Sequence, residues 1–143
     1  MSVPGGGAIF ITGATGFIGS EMLKRVLTRE PGRRIYCLTR ADGDDQARRR
    51  GREVIFKIFQ EDREATDDAK ARVTWMRGDL IAPELGLSKA QQDEVAAECD
   101  EMLHGAASTE FDLPLEEALR VNFAGAKAIV DLAQRLAKGG RLI

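Results

Sequence analysis

Residues 12–19 read Thr-Gly-Ala-Thr-Gly-Phe-Ile-Gly, and no other stretch restricts the possible folds of this chain as much. They follow the apolar run Ala8, Ile9, Phe10, Ile11 and open a segment with apolar residues at Ile18, Met22, Leu23, Val26 and Leu27. That pattern is a strand, a glycine-rich turn and an amphipathic helix. Bare backbone N–H groups and a helix N-terminus converge where such a strand ends, and together they form a phosphate cradle. Gly13 would permit the tight turn, Gly16 would let a pyrophosphate approach the backbone, and Gly19 would let the helix lie close on the strand. The spacing G-x-x-G-x-x-G is one residue wider than the G-x-G-x-x-G of many dehydrogenases. A plain structural turn is the alternative. Its place between a strand and a helix favours dinucleotide binding.

The rest of the chain alternates in the same way. A helix at 16–30 ends at Pro31-Gly32, and a strand at 34–39 carries Ile35, Tyr36, Cys37 and Leu38. A charged stretch from Asp42 becomes helical, with Val54, Ile55, Ile58 and Phe59 as its buried stripe. Strand three is expected at 73–76. Ser88 with Gln91 forms a capping box for a helix through Glu98, and a short fourth strand is expected at 102–104. After a loop through Asp112, a long helix at 115–137 offers Leu119, Val121, Ala126, Ile129, Val130, Ala133 and Leu136 to its inner side. Gly139-Gly140 stops it, and a fifth strand starts at 141–143. Strands alternating with helices predict an α/β class: a Rossmann-type, doubly wound parallel sheet that stops within strand five. The expected organisation is a flexible stretch at 1–7 and one nucleotide-binding domain at 8–143.

Composition narrows the function classes. With 31% charged residues and 43% hydrophobic residues, the 143-residue chain reads as a soluble globular domain. A formal charge of -2 argues against a nucleic-acid surface. No apolar run approaches the roughly 20 residues of a membrane span. The N-terminus lacks the blocks of a signal peptide. Cys37 and Cys99 sit in or beside apolar segments and read as reduced thiols of a cytoplasmic protein. With one histidine and no clustered cysteines, no metal site is expected.

Three strand ends carry the remaining signals. Strand two ends Leu38-Thr39-Arg40, where a dehydrogenase using the unphosphorylated dinucleotide commonly has Asp or Glu for the ribose 2′-hydroxyl. A guanidinium there favours a 2′-phosphate instead, hence NADP. Arg48, Arg49 and Arg50 could add positive field, although a solvated helix face is the preferred reading of that triplet. Gly78-Asp79-Leu80 follows strand three and overlooks the adenine side, where a carboxylate can accept from the exocyclic amine and a leucine can lie on the ring. Small residues at Gly105, Ala106, Ala107 and Ser108 let either a ligand or a helix approach strand four. His104 reads as a structural hydrogen-bonding group. Asn122, polar among apolar neighbours, either fixes the strand-four loop or faces solvent.

Taken together, the Thr-Gly-x-x-Gly-x-x-Gly turn, Gly-Asp-Leu, His-x-Ala-Ala and Val-Asn-x-x-Gly resemble the extended short-chain dehydrogenase/reductases. Leu85-Gly86-Leu87-Ser88, with His104-Gly105-Ala106-Ala107 and Phe111-Asp112-Leu113-Pro114-Leu115, is similar to a narrower group. That group is the reductases of acyl thioesters: alcohol-forming fatty acyl-CoA reductases and the terminal reductase domains of carboxylic acid reductases and peptide synthetases. The resemblance covers about residues 8–143 and implies NADPH as cofactor, an acyl thioester as small-molecule substrate, and an aldehyde or alcohol as product. It places Gly13, Thr15, Gly16, Phe17, Ile18 and Gly19 at the pyrophosphate and Arg40 at the 2′-phosphate. It also puts Asp79 and Leu80 at the adenine, and Ala106 and Ala107 near the ribose and nicotinamide.

Family members also carry a Ser or Thr after strand five and a Tyr-x-x-x-Lys pair on the next helix. This chain reaches Ile143 before either, and Tyr36, its only tyrosine, does not match that pair. The expectation is therefore the cofactor-binding part of a reductase, with no catalytic residue in this segment and no turnover by the segment alone. A dinucleotide-sensing module and a sugar-nucleotide epimerase or dehydratase are the alternatives. A sheet cut at its edge would also favour association into a homo-oligomer.

Overall fold

The computed structural model describes residues 6–137 and 139–143. Its centre is β1 (Ala8–Thr12), in which all five residues are buried. The run is apolar on both faces because both faces are covered, as happens in parallel sheets. The elements following it are α1 (Phe17–Arg29), β2 (Ile35–Thr39), α2 (Asp44–Phe59), α3 (Arg63–Arg72) and β3 (Val73–Arg77). A short turn of 3-10 helix (Pro83–Gly86), α4 (Lys89–Glu98), β4 (Cys99–His104), α5 (Leu115–Ala118), α6 (Gly125–Ala133) and β5 (Arg141–Leu142) complete it. The five strands pair in parallel in the order β3-β2-β1-β4-β5. This is the Rossmann-type sheet the alternating pattern predicts. The order reverses between β1 and β4, which places a crevice above their carboxyl ends.

Two apolar layers sandwich the sheet. Ile9, Ile11, Ile35, Cys37 and Leu103 meet Leu23, Val26 and Leu27 of α1, Ile55 of α2 and Ala69 of α3. Phe10, Tyr36, Leu38 and Met102 meet Val95 of α4 and Ile129 and Leu132 of α6. Successive strand residues point to opposite faces, so consecutive residues serve different layers. Both cysteines are buried, and burial raises both thiol pKa values, that of Cys99 to about 12. Neither presents a reactive thiolate.

The structure departs from the sequence expectation at several elements. Helix α3 was not expected. It begins at Asp62, whose side chain accepts from the Ala65 N–H at 3.0 Å, and ends at Arg72, whose guanidinium donates to the Leu27 carbonyl at 2.7 Å and the Glu30 carbonyl at 3.1 Å. Strand β4 starts at Cys99, three residues earlier than the apolar pattern indicates, because Asp100 and Glu101 are strand residues neutralised by Arg33. The long helix is broken by a π-helical stretch at Leu119–Ala124 and ends at Ala133. Widening of the helix there rotates the following face. Leu119 and Val130, expected inward, are exposed, while Gly125, Ile129, Leu132 and Leu136 are buried. The capping box at Ser88 and Gln91 is present, with both reciprocal bonds formed.

Of the expected flexible stretch at 1–7, residues 1–5 lie outside the described residues. Gly7 is buried, donates to Asp100 Oδ2 at 2.7 Å and accepts from Arg33 Nε at 3.0 Å. Among the described residues no helix is long and apolar enough to cross a membrane.

Candidate functional site

A cleft of about 520 Å³ opens above the carboxyl ends of the strands, where the strand order reverses. It is lined by Thr12, Gly13, Thr15 and Gly16 on one side, Thr39, Arg40, Asp79 and Leu80 on the second, and Ala106, Ala107 and Ser108 on the third. The sequence-predicted residues converge here from loops far apart in the chain. Three of them do not line it. Phe17 and Ile18 are 93% and 70% exposed on the first turn of α1, and Gly19 is buried.

The three glycines of the turn answer to different demands. Gly13 has φ +79°, and a Cβ there would lie 2.6 Å from the Gly105 carbonyl carbon and 2.7 Å from the Ala106 nitrogen. It lets the β1 and β4 loops touch. A Cβ on Gly19 would lie 1.9 Å from the Gly13 oxygen, so α1 packs on its own turn. Gly16 differs. A Cβ there would meet only the Gly13 oxygen, at 3.3 Å. Packing restricts this position far less than the other two. Gly16 is also the N-cap of α1 and provides no side-chain cap, which leaves the positive end of the helix facing the cleft.

At the end of β2, Arg40 is exposed on the rim and its carbonyl accepts from the Arg50 guanidinium of α2. Arg50 is exposed, in keeping with a solvated helix face, and its reach across to the end of β2 leaves no pattern in the sequence. Arg48 does stay on that face, paired with Asp45 at 2.6 Å. Thr39 was also missed. It is 3% exposed and its hydroxyl has no hydrogen-bond partner among the described residues. A buried polar atom without a partner calls for one from outside the chain.

The Gly78-Asp79-Leu80 wall is gripped tightly. A Cβ on Gly78 would lie 2.3 Å from Leu38 Cδ1 and 2.5 Å from the Leu85 oxygen. Asp79 donates its N–H to the Leu85 carbonyl at 2.8 Å, and its Oδ1 accepts from the Ile81 N–H at 3.1 Å. Leu80 packs against Gly125, where a Cβ would approach it to 3.1 Å.

The β4 loop is held by two side chains. Thr12 Oγ1 accepts from the Ala106 N–H at 3.3 Å and shares a hydrogen bond with His104 Nδ1, 2.7 Å away. Burial holds the His104 pKa below the ordinary value. Asn122 accepts from the Ser108 N–H at 2.8 Å and donates to the Ser108 carbonyl at 3.2 Å. Of the two readings left open for Asn122, both hold: it clamps the loop and is exposed. Tyr36 is remote: its hydroxyl donates to Glu94 Oε1 at 3.0 Å on the α4 layer, and burial beside that carboxylate raises its pKa to about 12.

The family described as male sterility protein, an NAD-binding family, matches residues 11–143. Fatty acyl-CoA reductase 1 of Xenopus laevis is 32% identical over 132 residues, 91% of this chain and 26% of that protein. A linear gramicidin synthase of Brevibacillus parabrevis is 36% identical over 127 residues, 88% of this chain and 2% of that one. Among solved structures, the terminal R domain of the myxalamid PKS-NRPS biosynthetic pathway superposes with a TM-score of 0.82 at 30% identity, over 99% of this chain and 34% of that one. The chain thus spans about a quarter of the acyl-CoA reductase and a third of the R domain. A dinucleotide crevice at the sheet's switch point and a match over nearly all of its length have one common source: this chain belongs to the male sterility protein family of NAD-binding domains.

Proposed function

We propose that this chain is the NADPH-binding part of a reductase acting on an acyl thioester, with the acyl group carried by coenzyme A or a carrier protein. One observation carries the cofactor assignment. A rim without side chains at Gly16, at the N-terminus of α1, faces a cleft whose far wall holds Arg40 with Arg50 beside it. The residues fit the dinucleotide: Gly16 leaves open a space that a side chain would fill, and Thr39 keeps a buried hydroxyl without a partner.

When bound, the dinucleotide supplies the hydride for the reduction. The chain's own residues bind and orient it. The α1 N-terminus with Gly13, Thr15 and Gly16 holds the pyrophosphate. Arg40, supported by Arg50, holds the 2′-phosphate, since a guanidinium gives charge-assisted bonds that a ribose hydroxyl alone would not need. The Thr39 hydroxyl gains a partner on the same side. Asp79 accepts from the adenine amine and Leu80 covers the ring. Ala106 and Ala107 let the nicotinamide ribose approach the backbone, at a height fixed by Thr12 and Asn122. The thioester assignment draws on the relatives, whose names are fatty acyl-CoA reductase and R domain.

The test is NADPH absorbance with the full-length protein, given a long-chain acyl-CoA or a carrier-protein thioester. Thioester-dependent oxidation is expected. Tight NADPH binding without oxidation on any thioester would move the assignment to a dinucleotide sensor, and absence of binding would overturn it.

A further inference from the structure

The segment after β3 contains a strained turn. Glu84 (φ 54°, ψ 32°), Leu85 (φ 61°, ψ 17°) and Gly86 (φ 66°) are all left-handed in succession. Glycine adopts this region readily, but in Glu and Leu the Cβ crowds the carbonyl. Such a run persists only where its surroundings fix it. What the run achieves is specific. It turns the Leu85 carbonyl back to accept the Asp79 N–H at 2.8 Å, and that oxygen also lies 2.5 Å from where a Cβ on Gly78 would be. The position of Asp79 on the cleft wall is set by this turn.

Two anchors hold the turn. Leu85 is 2% exposed in the layer under β2 and β3, which fixes its middle. Gln92 of α4, 6% exposed, fixes its flanks. Gln92 Nε2 donates to Glu84 Oε2 and to the Leu87 carbonyl, both at 3.1 Å. Gln92 Oε1 accepts from Arg135 Nη1 at 3.0 Å, and Arg135 is steadied by Asp93 at 2.9 Å. One buried amide therefore grips both sides of the left-handed run. The neighbouring Leu85, Leu87 and Val95 pack as an apolar layer that an apolar residue at 92 would extend. A fully bonded polar group in such a layer specifies one geometry.

We propose that Gln92 is a positioning residue for the adenine end of the dinucleotide site, acting through Glu84 and Leu85 to set Asp79. This rests on the assignment of Asp79 to the adenine amine. The experiment compares the full-length protein with its Gln92→Leu and Glu84→Asn variants, using NADPH and its 1,N6-etheno derivative, in which the amine is blocked. Wild type should prefer NADPH. Gln92→Leu should weaken NADPH roughly fivefold, the ratio one lost hydrogen bond supports, while the etheno derivative changes by less than about twofold. Amide exchange in the peptide spanning 79–87 should quicken relative to β1. Glu84→Asn tolerates the left-handed backbone and is exposed, yet is too short to reach Gln92, so it should shift both readouts the same way and to a lesser degree. Equal weakening of both cofactors would assign Gln92 to general stability and overturn the proposal. So would an unchanged preference in a wild type that discriminates. A wild type that binds both cofactors alike would overturn the adenine assignment itself, and one that binds neither would overturn the cofactor reading.

Discussion

Gly19 is a packing glycine, and Gly16 is the one proposed to meet the ligand. Gly19→Ala pushes a methyl into the Gly13 carbonyl, where a Cβ would lie at 1.9 Å, and should destabilise the fold by about 1–3 kcal/mol as an overpacking change. A Cβ on Gly16 would meet only the Gly13 oxygen, at 3.3 Å, so Gly16→Val is the milder packing change. It should leave the melting temperature within a few degrees and abolish NADPH binding by calorimetry, and undiminished affinity would remove the cradle. Arg40 gives a second contrast. Arg40→Ala should weaken NADPH by about 1.5–3 kcal/mol, the scale of a hydrogen bond to a charged group, and leave NADH nearly unchanged. Adding Arg50→Ala should deepen the NADPH loss alone. If NADH suffers equally, Arg40 supports the fold and does not read the phosphate. Strand-end residues such as Arg40 and Asp79 were legible because their position follows from counting strands. Thr39 and Arg50 were not, since an unpartnered hydroxyl and a contact across helices exist only in three dimensions.

At the scale of elements, legibility followed the number of covered faces. Strands β1 and β2 are buried on both faces and almost wholly apolar up to their terminal threonines, and the sequence located them to within a residue. Helix α3 carries six charged residues in Arg63–Arg72 and buries only Thr66 and Ala69, so it leaves no apolar stripe to read. The π-helical stretch at Leu119–Ala124 shifts the helical phase midway, which no fixed period describes. The join between β1 and β4 was half legible. The small residues at its loop were visible, whereas the Thr12–His104 bond that ties the strands needed coordinates. That bond carries a pH prediction. Burial depresses the folded His104 pKa, so the unfolded chain takes up its proton first. Stability should fall as pH drops below about 6.5, the ordinary histidine value, and level off once the pH is below the folded pKa. Thermal melts from pH 8 to 5 should show this slope, and His104→Asn should flatten it. A slope that survives His104→Asn would place the titration elsewhere.

Across the whole molecule, the two ends of the sheet do different work. The carboxyl end holds the glycines, the left-handed turn and the unpartnered Thr39 hydroxyl, features that cost stability and shape a site. The amino end is an ion-pair lattice. Arg33, whose side chain is 13% exposed, meets Glu30, Asp100 and Glu101, and Arg141 meets Glu101 from the neighbouring strand. The same guanidinium bonds the Gly7 carbonyl, so one residue joins the segment before β1, the α1–β2 turn and β4. Replacing it by Leu leaves three carboxylates around an apolar side chain, and losing one member of a largely buried pair is costly. Arg33→Leu should therefore destabilise the fold by about 2–4 kcal/mol in denaturant melts. NADPH affinity, measured below the melting range, should remain within about twofold, because the cleft lies at the opposite end of every strand it touches. A variant that kept its stability and lost the cofactor would show that the ion-pair end feeds the site, and the division of labour between the ends of the sheet would fall.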